Sequence, residues 1–232
     1  EADTGMKAYD GLQYFKQMWL IVYTVAYFAL FTWIDTRYIR KEKILFNNLV
    51  FNLVIGMIML TQGLYLLSEL RGLYLSYTPN IMYVIIRYIA LLAFALLLWQ
   101  TYKLLDAEAI NFKNNKVRDL VLYGVVLWVV SSEWLHWTEL LGATANYKLG
   151  LSILWVSYGV FMLVKGIHQN KSYMRIASIS VILFTLVKLF FYDIAHLSTI
   201  SRVVVLVILG VLLMIASFLY VKYDKKIRNN DK

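Results

Sequence analysis

Three basic residues set within apolar sequence, Arg87, Lys188 and Arg202, and three acids at the edges of apolar runs, Glu69, Glu133 and Asp193, are the side chains here best placed to do chemistry. An ionisable group at membrane depth is costly, so each is a functional candidate and each is expected to find a partner. Guanidinium and ammonium groups would hold an anion, and carboxylates beside them would balance charge or relay protons. Two further patterns rhyme: Glu133-x-x-His136 and Asp193-x-x-His196 each put a carboxylate and an imidazole three residues apart, on one helix face. Two such helices, with carboxylates from two more, build the di-metal sites of ferritin-like bundles. Glu69 would then be a fifth ligand and Glu139, from the loop, a sixth. The second pattern opens with Asp, however, and both stand at the ends of apolar runs, where geometry is loose. Hydrated helix termini are therefore the reading taken, and no cofactor is expected. The absence of Cys excludes disulfides, thiolate nucleophiles and Cys-ligated metals. Neither a Ser–His triad pattern nor a phosphate-cradling Gly loop is present.

The elements that must position these residues are apolar. Of 232 residues 61% are hydrophobic and 16% charged, with a mean hydropathy of +0.63. A soluble domain would carry about 25% charged residues. Seven apolar stretches, roughly 17–34, 44–67, 80–102, 117–135, 148–165, 173–192 and 200–221, take up most of the chain. A hydrocarbon layer about 30 Å thick requires about 20 apolar residues per helix. The expected fold is all-α, a polytopic bundle of about seven transmembrane helices forming a single domain over 1–232. Pro79 suits the start of the third helix, where its missing N–H costs nothing.

Basic residues set the orientation. The gaps 35–43 and 103–118 hold four each, the gap after the fifth span three, and the C-terminal tail five, sixteen of the 23 Lys and Arg. The positive-inside rule then places the C-terminus in the cytoplasm and the N-terminus outside. The +9 net charge is thus read as headgroup-facing, with membrane lipids as partners and no nucleic acid. The segment before the first apolar run has no basic n-region and is not a signal peptide. A chain opening on Glu1 is expected to be trimmed or to be the end of a longer protein.

Aromatic residues mark the span ends: Trp134 and Trp137 at the outer end of the fourth, Trp99 and Tyr102 at the inner end of the third, as in an interfacial belt. Ser68-Glu69, Ser132-Glu133 and Tyr192-Asp193 recur at the ends of alternate spans, so the chain reads as a lead-in helix followed by three like-oriented hairpins. Gly56, Gly63, Gly159 and Gly210 are expected to be close-packing points between helices. Arg87, about seven residues or roughly 10 Å into its span, either faces the bundle or snorkels outward along its own stem. Lys188 and Asp193, about 140° apart on a helical wheel, are each expected to reach a neighbouring helix rather than one another.

Ser131-Ser132-Glu133, Leu154-Trp155, Tyr158, Gly166, Tyr173-Met174-Arg175, the run Leu186-Val187-Lys188-Leu189-Phe190-Phe191-Tyr192-Asp193, Arg202, Leu209-Gly210-Val211-Leu212-Leu213 and Ser217-Phe218-Leu219-Tyr220 follow one another in a familiar order. Over roughly 120–223 the chain resembles the C-terminal end of the multi-pass family called domain of unknown function 2339; the first hundred residues match only in being membrane spans. The resemblance implies a bacterial inner-membrane protein, the C-terminal fragment or short relative of longer chains. It brings no activity, and it singles out Lys188, Asp193 and Arg202.

Three functions compete. A scaffold or component of a larger membrane assembly, partnered by other subunits or by a missing N-terminal part, uses the charged groups of an outer vestibule to lock helices together. A transporter or channel module for a polar or anionic solute needs polar residues continuing inward, which Asn47, Asn48, Asn52, Thr61 and Gln62 supply along the second span. An enzyme acting on lipid-linked envelope material needs a tight outer cluster. The scaffold is the leading expectation.

Overall fold

The structure, a computed structural model, describes residues 2–39, 41–76, 80–106, 115–142, 147–193 and 199–230. All regular structure among them is helical: α1 (Ala2–Ile34), α2 (Glu42–Ile58), α3 (Leu64–Ser76), α4 (Met82–Asp106), α5 (Asn115–Leu140), α6 (Tyr147–His168), α7 (Ser172–Lys188) and α8 (Thr199–Asn230). Three π-helical turns interrupt them. Asp35–Ile39 extends α1, Met59–Gly63 joins α2 to α3 in one rod, and Leu189–Asp193 extends α7. Such a turn adds one residue to the helical repeat and so rotates the face that follows. Beyond Met59–Gly63 the inward positions resume at Leu66, Leu67, Leu70 and Arg71.

Five helical stretches among the described residues are long and apolar enough to cross a membrane: Asp10–Ile39, Lys43–Ser76, Met82–Leu105, Lys116–Leu140 and Tyr147–His168. The fold is all-α and membrane-spanning, as composition requires. The stretches read as 173–192 and 200–221 fall on α7 with its π turn and on α8, where the apolar part is Arg202–Ile215. Several helices outrun their apolar stretches, since charge ends a hydrocarbon span without ending the backbone ladder.

The chain forms two compact units, Glu1–Arg118 and Asp119–Lys232. In the first, α1 packs along α4. Met18, Val22, Val25, Ala29 and Thr32 are buried on α1, and Ile86, Ala90, Ala93, Leu97, Gln100 and Leu104 on α4. Both sets alternate steps of three and four, the seam of left-handed coiled-coil packing. Leu45 and Leu49 of α2 close over Leu104. At the start of α4 the Asn80 side chain accepts the Met82 N–H at 3.0 Å, a cap that satisfies a donor the helix leaves open. Pro79 lies outside the described residues.

In the second unit α6 and α7 form a close hairpin. Leu149, Ser152, Val156, Gly159, Leu163 and Gly166 bury one face of α6 against Met174, Ser178, Ile182 and Thr185 of α7. A Cβ at Gly159 would lie 2.6 Å from Ile182 Cγ1, and one at Gly166 3.0 Å from Met174 Cβ and 3.1 Å from the Arg175 nitrogen. The hairpin turns at Asn170, which adopts φ 51°, while the Lys171 N–H bonds back to the Gly166 carbonyl at 2.9 Å. Asn tolerates this left-handed conformation better than other non-glycine residues. Leu189 and Leu209 bring α8 onto Leu149 and Val156. Of the glycines expected between helices, Gly159 fits. Gly56 makes ordinary contact with Phe94, Gly63 abuts Met59 of its own rod, and Gly210 faces open space. Spacing alone does not separate a glycine on a seam from one on an outer face.

Candidate functional site

Arg87 is buried on α4, 1% exposed, inside the first unit. Its long stem therefore turns inward rather than snorkelling. Glu69, half-buried, and Arg71, buried, lie on α3, which runs past them to Ser76. The Arg71 guanidinium donates to Ser68 Oγ at 2.9 Å. In the second unit Glu133 is half-buried on α5, which likewise continues to Leu140. The two Ser–Glu pairs therefore sit inside helices rather than closing them. His136 is buried, and Arg202 is exposed on α8. Asp193 ends the π turn after α7, and His196 falls outside the described residues. Among the described residues no three His or carboxylate side chains gather as metal ligands.

Lys188 does reach a neighbouring helix: its ammonium donates to Ser152 Oγ of α6 at 2.9 Å. One turn away Lys148 Nζ lies 3.4 Å from the Tyr192 hydroxyl and 4.9 Å above its ring. The motif residues further along α6 look the other way, to α5. Trp155 Nε1 donates to Ser131 Oγ at 2.8 Å, and the Tyr158 hydroxyl to the Tyr123 carbonyl at 2.8 Å.

The same stripe of α5 ends at Asp119, which the sequence reading passed over beside Arg118. It is 3% exposed. Its Oδ2 accepts the Lys171 ammonium at 2.6 Å and the Tyr173 hydroxyl at 2.5 Å. The carboxylate hydrogen bond holds the Lys171 ammonium above the usual lysine range, against a smaller opposing effect of burial. Asp119, Tyr123 and Ser131 are four and eight residues apart, so they line one face. Long side chains, rather than close backbone packing, bind α5 to the α6–α7 hairpin. The signal in the sequence was an acid opening an apolar span opposite a basic loop.

A second polar row crosses α1 and α2. The Thr32 hydroxyl and the Asn52 amide bond at 3.0 Å, and Asn48 Nδ2 donates to Asp35 Oδ2 at 2.5 Å. All four are buried, Thr32 and Asp35 completely. Asn48 and Asn52 are thus inside, whereas Asn47, Thr61 and Gln62 face outward. Of the aromatics expected in the belt, Trp99, Trp134 and Trp137 are exposed and Tyr102 is half-buried; Lys103 sits 4.0 Å above the Trp99 ring and Arg118 4.5 Å above Tyr102.

Several of these residues join one helix to another. No curated protein and no solved structure matches the chain. The resemblance read over 120–223 is one end of a longer match, because the first hundred residues share the family pattern too. With residues 2–223 matched, the chain belongs to the family described as "Predicted membrane protein (DUF2339)".

Proposed function

We propose that the protein is a membrane-embedded scaffold, a helical component of a larger assembly in a bacterial inner membrane. The observation that carries this reading is the polar stripe of α5. Asp119, Tyr123 and Ser131 give their hydrogen-bonding capacity to Lys171, Tyr173, Tyr158 and Trp155. Intramembrane polar contacts of this kind hold helices in register. Only 6% of the apolar window of α5 is buried, so the rest of its surface meets lipid or other subunits. Lys188 is drawn into the same work by Ser152.

The test is complementation of a strain lacking the protein, with abundance measured alongside. A scaffold predicts that Arg87→Gln and Lys188→Met restore growth in proportion to the protein present in the membrane. Loss of function at normal abundance would instead mark these residues as an anion or substrate site. A transporter or channel module is the second reading, favoured by the buried row of Thr32, Asn48 and Asn52 in the first unit.

A further inference from the structure

Asp35 is completely buried, and only one of its carboxylate oxygens is used. Oδ2 accepts Asn48 Nδ2, while Oδ1 has no hydrogen-bond partner among the described residues. A buried carboxylate with an unsatisfied oxygen is among the costliest arrangements a helix bundle can hold. It stands on the π turn Asp35–Ile39, and turns of this type occur frequently at functional sites. Among the described residues neutral oxygens lie beside it: those of the Asn48 and Asn52 amides and the Thr32 hydroxyl, all buried on the same two rungs, while Arg40 lies outside the described residues. Arg37 and Lys41, nearby in the chain, are exposed.

The geometry points to a binding site for one monovalent alkali cation, with Asp35 Oδ1 as its charged donor and the rung amides and hydroxyl as the source of neutral oxygens. A single carboxylate matches a single positive charge. A divalent ion would call for further carboxylates, and no group of three acidic or His side chains is found among the described residues. The site stands apart from the scaffold reading, which can fail without touching it.

The test is thermal unfolding of the full chain in lipid nanodiscs, titrated with sodium chloride or lithium chloride at ionic strength held constant by choline chloride. Specific binding raises the midpoint with the logarithm of the alkali-ion concentration. Asp35→Asn, which keeps the shape and removes the charge, must abolish that rise. Should Asp35→Asn fail to fold, Asp35→Glu keeps the charge and moves it by one methylene. The half-effect concentration of sodium must then change. A midpoint indifferent to sodium and lithium in the wild type overturns the inference, as does an unchanged half-effect concentration in Asp35→Glu. So does a protonated-carboxyl infrared band that vanishes in Asp35→Asn without any sodium response, since the site then holds a proton.

Discussion

At Asp119 an ammonium and a phenol converge on one carboxylate oxygen, and twelve residues along the same helix Ser131 receives the Trp155 indole. A hydrogen bond between membrane helices is worth about 0.6 kcal/mol on average and up to about 1.7. Ser131→Ala and Trp155→Phe should therefore each destabilise the protein by a fraction of a kcal/mol to about 1.5 kcal/mol. A double-mutant cycle on reversible unfolding in lipid should give a coupling of that size; additive effects would mean the two side chains do not interact. The Lys171–Asp119 pair makes a prediction about pH. The Lys171 pKa is raised in the folded state from 10.5, so its contribution is complete below that value and is lost as pH rises through the folded value. Stability should drop at pH above the ordinary lysine range in the wild type and not in Lys171→Met. An identical alkaline profile in both proteins would contradict the pairing.

Helices were legible and their faces were not. The apolar stretches read from composition coincide with helical rods, because about 20 apolar residues in a row have few other structures open to them. The α6–α7 seam was hidden for the same reason: Leu149, Val156 and Leu163 point inward and Phe161 outward, yet all are equally apolar. Amphipathic periodicity fails where solvent and core are alike. The π turns left no trace in the sequence, so the re-phasing that brings Arg71 inward could not be read. Motif residues did better: Trp155, Tyr158 and Lys188 each turned out to make an interhelical bond. Glycine substitutions test the seam. Gly166→Ala meets a backbone nitrogen and a Cβ that cannot give way, so a loss of about 1–3 kcal/mol is expected from overpacking. Gly124→Ala on α5 meets nothing within 4 Å and should be neutral or stabilising by up to about 1 kcal/mol. Equal unfolding midpoints for the two variants would contradict the packing.

On the scale of the whole molecule, charge asymmetry predicts an orientation that can be tested cleanly, because the sequence contains no Cys. Lys41→Cys and Leu141→Cys place single thiols at exposed positions. With the basic gaps in the cytoplasm, a membrane-impermeant maleimide added to intact cells should label Cys at 141 and leave Cys at 41 unlabelled until the membrane is opened. The reverse pattern would invert the topology. Function was the least legible part. The residues that read as a charged vestibule fall in both compact units, and Lys188 bonds to a neighbouring helix through Ser152. The scaffold account stands or falls most directly on native mass spectrometry of the protein ejected from lipid nanodiscs formed directly from its own membrane. The account predicts a discrete heteromeric complex, and its dissociation in the Asp119→Asn, Ser131→Ala double variant. A single chain that carries a bound solute or lipid-linked glycan, with no partner subunit, would contradict it.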